Sequence, residues 1–315
     1  MAKLIIQRLL LGVLTLFAVS LLIFVCTQIL PGDVASAVLG QGATPEALVV
    51  FRKELGLDVP AHLRYWNWLV GALQGDLGVA MTNKRVIVQE VMPRLANTLF
   101  LAGYAALIAI PLAVGLGIFS AINEGRLSDR LANLVTLVAI SLPEFFIAYL
   151  LIIFLAVNLP WFPSLSTVFD GMPFKERVYQ STLPAITLTL LVASHMQRMT
   201  RSSVLSVMST AYIEMAFLKG ARRQRVITRH ALPNAAAPII TVVAMNMAYL
   251  VVGVVVIESV FVYPGLGQLM VDAVSKRDVP VIQACGLVFA VVFVTVNTLA
   301  DMLVILVNPR LRHRS

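Results

Sequence analysis

Charge is scarce in this sequence, and so is cysteine. Charged residues make up 13% of the 315 residues and hydrophobic residues 59%, against roughly 25% and 45 to 50% in soluble domains. Such a chain must spend much of its length in a lipid bilayer. The two cysteines, Cys26 and Cys285, both lie inside apolar runs. This excludes a disulfide framework and a zinc site built on paired cysteines.

Motifs for catalysis are missing as well. The sequence contains no GxxxxGK[ST] phosphate loop, so we do not expect this chain to hydrolyse ATP. It also contains no HExxH and no GxSxG motif, which argues against a metalloprotease and a hydrolase of the nucleophile-elbow type. We expect a non-catalytic membrane subunit without a cofactor or metal of its own. A membrane enzyme built from scattered serine and histidine side chains stays open.

Long apolar runs are what the sequence does contain. A helix needs about 20 residues to cross the hydrocarbon layer, and six runs are long enough: near 9–30, 98–122, 131–158, 182–202, 234–257 and 283–307. The first run exceeds the core of a signal peptide, so we expect an uncleaved span, although 35–37 (Ala-Ser-Ala) is a tolerable cleavage site. The predicted fold class is an all-α polytopic membrane protein with six transmembrane helices.

The Lys and Arg residues predict the orientation of the spans. With the N-terminus inside, the inner tails and connections hold 14 of them, whereas the short outer connections hold four. We therefore expect both termini in the cytoplasm. Topology accounts for the net charge of +8, so no nucleic-acid partner is expected.

The segment between the first two runs carries the signals of two short helices. The first covers 44–55, and the second begins at Pro60 and is followed by turns at Gly75 and Gly78. Apolar residues of the second helix fall on one face: Leu63, Trp66, Val70 and Leu73. We interpret 31–93 as a small extracytoplasmic cap. It is either a hairpin on the membrane surface with tryptophan anchors or a docking surface for a delivered substrate.

Ionisable residues inside the spans are few, and such residues usually face a cavity or another helix. Glu144 follows Pro143 within the third run, where a proline leaves a backbone carbonyl unpaired and favours a position away from lipid. We assign Pro143, Glu144 and Asn246 to the translocation path. Asp301 and His195 lie near the cytoplasmic ends, where pairing with nearby arginines explains them as well as contact with substrate does.

The polar segment 214–233, EMAFLKGARRQRVITRHALP, interrupts two apolar runs. Tyr212 and Glu214 come before Gly220, which permits a sharp turn. Three arginines follow at the spacing of one helical stripe: Arg222, Arg225 and Arg229. The segment is either a rigid knob for a soluble partner or a basic stretch that binds anionic lipid.

The spacing of this segment resembles the EAA loop of ABC-transporter permeases, in which Glu-Ala-Ala, three residues, Gly and nine residues precede Ile-x-Leu-Pro. The residues in register are Glu214, Ala216, Gly220, Leu232 and Pro233. Met215 stands at the second position of the motif, where the family has alanine, and His230 stands at the isoleucine. The resemblance is closest to the B-type permease of dipeptide and oligopeptide importers.

The resemblance extends over nearly the whole chain. Its further segments are LPGD (30–33), ELGLDVP (54–60), GDLG (75–78), RMTRSSVL (198–205), KGARRQRVITRHALPNAAAPIIT (219–241), ESVFVYPGLGQLM (258–270), RDVPVIQA (277–284) and NPRLR (308–312). Departures are minor, such as Ala80 in place of serine and Asn308 in place of aspartate. So many ordered matches are specific for the family.

The resemblance implies a type I ABC importer permease fold and a set of partners. These are a homologous second permease, two ATP-binding cassette subunits that carry the ATP and Mg, an extracytoplasmic binding protein and membrane lipid, in a bacterial inner membrane. The implied domains are a tail and first helix (1–30), the cap (31–93), a permease core (94–306) with its coupling loop at 203–233, and a cytoplasmic tail (307–315). The expected solutes are di- or oligopeptides, with nickel chelates, glutathione, opines and oligosaccharides as alternatives.

The resemblance also implies site residues. Those assigned to ATPase coupling are Tyr212, Glu214, Ala216, Lys219, Gly220, Arg222, Arg225, Leu232 and Pro233. Those assigned to the extracytoplasmic cap or gate are Asp76, Trp66, Glu258, Pro264 and Gly265. An ion-coupled secondary transporter is the alternative from another class, but it would need a relay of intramembrane acids, and few buried charges are present.

The orientation can be tested with single cysteines in a background lacking Cys26 and Cys285. An impermeant thiol reagent added to intact cells should label Ala47→Cys and spare Gln224→Cys until the cells are lysed. Labelling of Gln224→Cys in intact cells would contradict the predicted topology.

Overall fold

Eleven α-helices make up most of the chain in the computed structural model, which describes residues 2–29, 44 and 59–307, some side chains excepted. They are α1 (Ala2–Ile29), α2 (Ala61–Leu73), α3 (Ile87–Ile122), α4 (Leu127–Ser141), α5 (Glu144–Leu151), α6 (Phe174–Met208), α7 (Ala211–Leu218), α8 (Arg223–Val226), α9 (Leu232–Val260), α10 (Leu266–Lys276) and α11 (Val279–Val307). Two π-helical turns follow α5 (Ile152–Asn158) and join α8 to α9 (Ile227–Ala231). The predicted first cap helix (44–55), apart from Thr44, and the segments 35–37 and 308–312 lie outside the described residues.

Four helices in the described ranges are long and apolar enough to cross a membrane. They are Ile6–Ile29, Ile87–Ile122, Ile227–Val251 and Val279–Ile305. A fifth crossing is obtained if α4 and the segment 144–158 together form one bent span. These helices correspond to five of the six predicted runs, and the count of six stays a prediction.

The third predicted run is not one straight helix. The axes of α4 and the segment 144–158 differ by 109°. The break lies at Leu142, whose φ of −91° and ψ of 140° are extended. Pro143 is the physical reason, because the residue before a proline is pushed out of the helical region.

The fourth predicted run lies in α6, which is less apolar than the four spans. Many of its polar side chains are buried in the bundle rather than turned to lipid: Ser181, Thr187, Thr189, Ser194, Gln197 and Thr200. Hydroxyl groups satisfy part of this polarity within the helix, as where Thr187 Oγ1 donates to Leu183 O at 2.9 Å. Burial among other helices explains why α6 does not need an apolar surface.

The face of α3 that meets α6 is made of small residues. Ala105, Ala109 and Ala113 recur at every fourth position and are fully buried. Gly117 continues the series, and a Cβ added to it would lie 2.7 Å from Thr200 Cβ. Small side chains let two helix backbones approach closely. This close approach places α3 and α6 at the centre of the bundle.

The contacts define two ends of the bundle. At one end, which we call the cap end (residues 74–86 and α10), Arg177 at the start of α6 donates to Asn97 Oδ1 on α3 at 2.9 Å. At the other end, which we call the coupling end (α7 and Gly220), α6 leads into α7. The N-terminal part of α1 and the C-terminal part of α11 lie at the same end of the bundle, because Arg8 Nη1 is 2.8 Å from Asp301 Oδ2.

A buried carboxylate joins three helices on the coupling-end side. Asp129, at the start of α4, accepts two hydrogen bonds from Arg201 of α6, both at 2.8 Å. It also accepts from the hydroxyl of Ser120 on α3, from Gly125 N at 3.0 Å and from Asn133 Nδ2 at 2.7 Å. A bidentate pair with this many donors is the geometry in which a buried charge is well compensated.

The predicted second cap helix is present as α2, and its apolar face is largely exposed within this chain. Leu63, Trp66, Val70 and Leu73 are all exposed. The buried residue is Tyr65, which packs on α1 between Phe17 and Phe24 and whose hydroxyl lies 2.9 Å from Ser20 Oγ. The turns predicted at Gly75 and Gly78 are confirmed, with φ of +85° and +83°.

Two glycines of α3 form a matched pair for testing the contact with α6. Gly117→Ala should destabilise the fold by about 1 to 3 kcal/mol, because the added Cβ overpacks against Thr200 and Gln197. Gly115→Ala adds a Cβ that meets nothing within 4 Å, so it should be neutral or stabilising by up to about 1 kcal/mol. Thermal unfolding in one detergent measures both variants. Equal effects would contradict the close approach.

Candidate coupling and translocation sites

The corner after α7 has a defined hydrogen-bond pattern. Gly220 has a φ of +77°, in the left-handed region that glycine adopts without steric cost. Its N–H donates to Phe217 O at 2.9 Å, and the Ala221 N–H donates to Ala216 O at 3.2 Å. These two bonds form a Schellman motif, which ends a helix and redirects the chain. The sharp turn predicted at Gly220 is therefore confirmed.

A buried contact and two hydrogen bonds hold α7 against the next segment. Ile213 is fully buried and packs against the segment 226–231. The Tyr212 hydroxyl donates to His230 O at 2.7 Å and accepts from Asn234 Nδ2 at 3.0 Å. The corner is therefore fixed on both sides of Gly220. The sequence pattern did not indicate Ile213 or Asn234, because helical periodicity does not show which neighbouring segment a short helix contacts.

The outward side of α7 is a mixed apolar and acidic surface. Leu218 is 75% exposed and Met215 52%, and Glu214 is exposed beside them. The predicted coupling residues that share this exposure are Lys219, Gly220, Arg222, Arg225 and Pro233, whereas Ala216 and Leu232 are partly buried. The structure brings these residues together around one corner, and their contact with an ATPase stays a prediction.

The predicted arginine stripe is not formed as one helical face. Arg222 precedes the four-residue helix α8, and Arg229 lies in the π-helical turn that follows it. A π turn contains more residues than an α turn, so the 3.6-residue period is interrupted between Arg225 and Arg229. Both of these arginines are exposed.

The residues assigned to the translocation path lie on two elements. Glu144 is the first residue of α5, directly after the break at Pro143, and is partly buried. A Cβ added to Gly253 of α9 would lie 4.0 Å from Glu144 Oε1. Asn246 is buried within the chain, and its amide donates to Val242 O at 2.8 Å. A path role for these residues stays a prediction.

Another face of α9 is exposed within this chain, and the sequence patterns had not indicated it. Pro238, Met245 and Tyr249 are exposed and follow one another at spacings of seven and four residues, which places them on one helical face. Asn246 lies on a different, buried face. The 3.6-residue period was the signal that could have identified this stripe.

A buried carboxylate organises the loop between α9 and α10. Glu258 is completely buried. It accepts a hydrogen bond from Thr98 Oγ1 on α3 at 2.6 Å and another from Gly267 N at 2.7 Å. Thr98 Oγ1 in turn accepts from Leu266 N at 2.8 Å. Glu258 and Thr98 therefore satisfy the free N–H groups at the start of α10, which every helix leaves unpaired.

Pro264 and Gly265 belong to the same loop, and their assignment to a cap or gate stays a prediction. A Cβ added to Gly265 would lie 2.0 Å from Glu258 Oε1, so this contact requires glycine. Asn97 Nδ2 donates to Pro264 O at 2.9 Å, and the Tyr263 hydroxyl donates to Asn97 O at 3.0 Å. The loop is therefore tied to α3 by several independent contacts.

Asp76 and Trp66 make other contacts. Asp76 Oδ1 accepts from Gly78 N at 2.9 Å within its own turn. The Trp66 ring lies 6.4 Å, centroid to centroid, from Phe17 of α1. Within the described part of the chain, no group of three or more His, Cys, Asp or Glu residues could hold a metal ion.

Burial raises the pKa of the Glu258 carboxyl to about 7, and the hydrogen bonds from Thr98 and Gly267 oppose part of that shift. Glu258 lies beyond the apolar span of α9, which ends at Val251. Burial also raises the pKa of the Tyr263 hydroxyl in the adjoining loop. The neutral form of Glu258 is therefore the one that folding favours.

Two family models match the chain. Residues 113–313 match the family described as the binding-protein-dependent transport system inner membrane component. Residues 1–102 match the N-terminal part of such membrane components.

Relatives match over the full length. The glutathione transport system permease protein GsiC of Salmonella typhimurium (strain LT2) is 35% identical over 314 residues, with 100% of both chains covered. GsiC of Escherichia coli (strain K12) is 35% identical over the same length and coverage. A chain in a solved structure of the MetNI methionine ABC transporter, in an inward-facing conformation, matches the fold with a TM-score of 0.56 at 15% identity. That match covers 70% of this chain and 98% of the other.

The helical bundle and the glycine corner, taken with these matches, define the permease subunit of an ABC importer. The chain belongs to the family of binding-protein-dependent transport system inner membrane components. This is a bacterial inner-membrane family whose members work with ATPase subunits, a second permease and a binding protein.

The raised pKa of Glu258 predicts a pH-dependent stability. The folded pKa of about 7 is above the ordinary value of 4.5, so the stabilising contribution of the carboxyl is complete below pH 4.5 and is lost as the pH rises through 7. Glu258→Gln should remove this part of the pH dependence, because its amide can donate to Thr98 and its carbonyl can accept from Gly267. Thermal unfolding between pH 4.5 and 8 checks the difference, with the exposed Glu176→Gln as control. An unchanged slope in Glu258→Gln would contradict it.

Proposed function

We propose that this chain forms one half of the path by which an ATP-driven importer moves a peptide-class solute across the bacterial inner membrane. The single observation that carries the proposal is the fixed corner at the coupling end. There a Schellman motif at Gly220 and the Tyr212–His230 hydrogen bond hold α7 rigidly, while Leu218, Met215 and Glu214 face outward.

In this proposal, α7 is the surface that an ATPase subunit grips. A complete transporter contains this permease, a homologous second permease and two ATPase subunits that bind ATP and Mg. This chain has no catalytic role, and both of its termini face the cytoplasm. Closure of the ATPase pair moves each α7 and switches the bundle by rigid-body rotation.

The open face of α9 supports an assignment for the path. Met245 and Tyr249 are 55% and 70% exposed on a helix that is otherwise largely buried in the chain. We assign this face to the contact with the second permease, at the edge of the path. Glu144 and Pro143, at the break between α4 and α5, lie beside the same helix near Gly253.

The solute is assigned from the relatives. GsiC proteins, named for glutathione transport, are 35% identical to this chain over its full length. Glutathione is a tripeptide, so the relatives and the motif resemblance both point to short peptides. Glutathione and dipeptides are therefore the first solutes to test, ahead of nickel chelates, opines and oligosaccharides.

The coupling role can be tested at two glycines with matched geometry. Gly220 and Gly171 have φ of +77° and +85°, and a Cβ on either would meet nothing within 4 Å. A valine at either position costs at least about 1 kcal/mol of backbone strain. Only Gly220→Val, alone or combined with Glu214→Lys, should weaken ATPase capture or uncouple ATP hydrolysis from uptake. Gly171→Val should have no such effect.

The measurements are copurification of the ATPase subunits and uptake of labelled glutathione or dipeptide into proteoliposomes containing the loaded binding protein. Normal capture and normal coupled uptake in the Gly220→Val, Glu214→Lys double variant would rule out the coupling role. The segment 214–233 would then be better explained as a basic stretch that binds anionic lipid.

A further inference from the structure

A cavity of about 400 Å³ lies at the cap end, and its lining contains none of the residues assigned to coupling, the translocation path or the gate. It is lined by the turn 80–85, the first two turns of α3 and one side of α10. The turn is held in place by an antiparallel bridge between Val79 and Val86 and by a hydrogen bond from Ala80 N to Arg85 O at 2.9 Å. The walls are thus ordered backbone and helix, and the volume is within the range of small-molecule sites.

Arg94 is a cation of this cavity with a buried donor atom that lacks a partner among the described residues. Its side chain lines the cavity and is partly buried, and its Nη1 atom is buried without a hydrogen-bond partner among the described residues. Glu258 is near enough to feel its charge, but the carboxylate oxygens of Glu258 bond to Thr98, Gly267 and Gln268 instead. A buried donor without a partner is costly, and in native structures such a group needs an explanation.

Two of the acids that line the same cavity are already satisfied. Asp278 accepts hydrogen bonds from Met81 N at 3.1 Å and from Thr82 N and Oγ1, both at 2.8 Å. Glu90 accepts from Asn83 Nδ2 at 2.8 Å. These carboxylates hold the wall of the cavity together, and neither forms an ion pair with Arg94.

The side chains that line the cavity carry three cations and three carboxylates, so what matters is which of these charges have a partner. Arg85 Nη1 lies 3.8 Å from Glu90 Oε1, so these two charges offset each other. Lys276 is exposed at the end of α10, and Asp272 lies one turn earlier. Asp272 can offset Lys276 on the same helix, whereas Arg94 forms no ion pair among the described residues.

We propose that this cavity binds a carboxylate group presented at the cap end, with the guanidinium of Arg94 as its partner and Lys276 at the rim. A guanidinium matches a carboxylate through two parallel hydrogen bonds, which a point charge cannot provide. The carboxylate belongs either to the free C-terminus of a short peptide solute or to an acidic side chain of the binding protein. The inference rests on the proposed import function at one point only, because that function decides from which side of the membrane the carboxylate reaches the cavity.

The test uses the assembled transporter in lipid nanodiscs without ATP. The probes are dialanine, which has a free carboxylate, dialanine amide, which does not, and inorganic phosphate. Binding is measured by calorimetry and by the shift of the unfolding temperature. Dialanine should bind and raise the unfolding temperature, whereas its amide should not. Arg94→Gln should weaken dialanine binding about ten- to hundredfold, the range for a hydrogen bond to a charged group.

Further variants separate charge from folding. Arg94→Lys keeps the charge but cannot form two parallel hydrogen bonds to one carboxylate, so part of the affinity for dialanine should be lost. Lys276→Gln changes an exposed side chain that does not support the fold, and it should reduce binding severalfold. Arg126→Gln, at the opposite end of the bundle, should change nothing.

The two sources of carboxylate give different results. If a peptide solute supplies it, dialanine binding depends on Arg94. If the binding protein supplies it, dialanine has no effect, but the affinity of the binding protein for the transporter falls at least about tenfold in Arg94→Gln. No change in either measurement, or equal binding of phosphate and dialanine, would overturn the proposal. Lost uptake with intact Arg94-dependent binding would count against the import function alone.

Discussion

The close approach of α3 and α6 is the contact on which the rest of the structure depends. Ala105, Ala109, Ala113 and Gly117 present almost no side chain at every fourth position of α3, so the backbone of α6 can lie directly against them. In a bilayer, lipid tails are as apolar as leucine, and helices associate through such packing and through interhelical hydrogen bonds. α6 can therefore be polar, because its polar side chains are enclosed by protein and several of its hydroxyl groups, such as those of Thr187, Thr189 and Ser194, bond to helix carbonyls.

The central position of α6 connects the two functional ends. At the cap end, Arg177 and Asn97 join its start to α3, and the same Asn97 fixes the loop before α10. Near the coupling end, Arg201 binds the buried Asp129, and the helix then leads into α7 after only two residues. A displacement of α7 thus has a rigid element to act on, with ion pairs and hydrogen bonds near both of its ends. This arrangement supports the proposed transmission of force through the bundle.

Much of the architecture could be predicted from the sequence, because the relevant signals are local. Apolar runs marked five segments that form long helices or the bent pair, and Gly220 and Gly75 marked turns that do have positive φ. The predictions were less accurate where one sequence signal is compatible with two different structures. Pro143 was expected to disturb a span, but only the structure showed a break of 109°. The sequence marked one apolar face of α2, but only the structure showed that Tyr65, off that face, is buried against α1.

The sequence by itself determined that the chain lies in a membrane, that it is helical, and that a glycine corner stands between α7 and the basic segment. These follow from composition, periodicity and backbone sterics, which act over a few residues. Only the tertiary structure decided that Glu258 caps α10, that Asp129 pairs with Arg201, and that Arg94 borders a cavity without a partner. Each of these pairings joins residues that no local pattern relates, because burial and hydrogen bonding depend on which helices become neighbours.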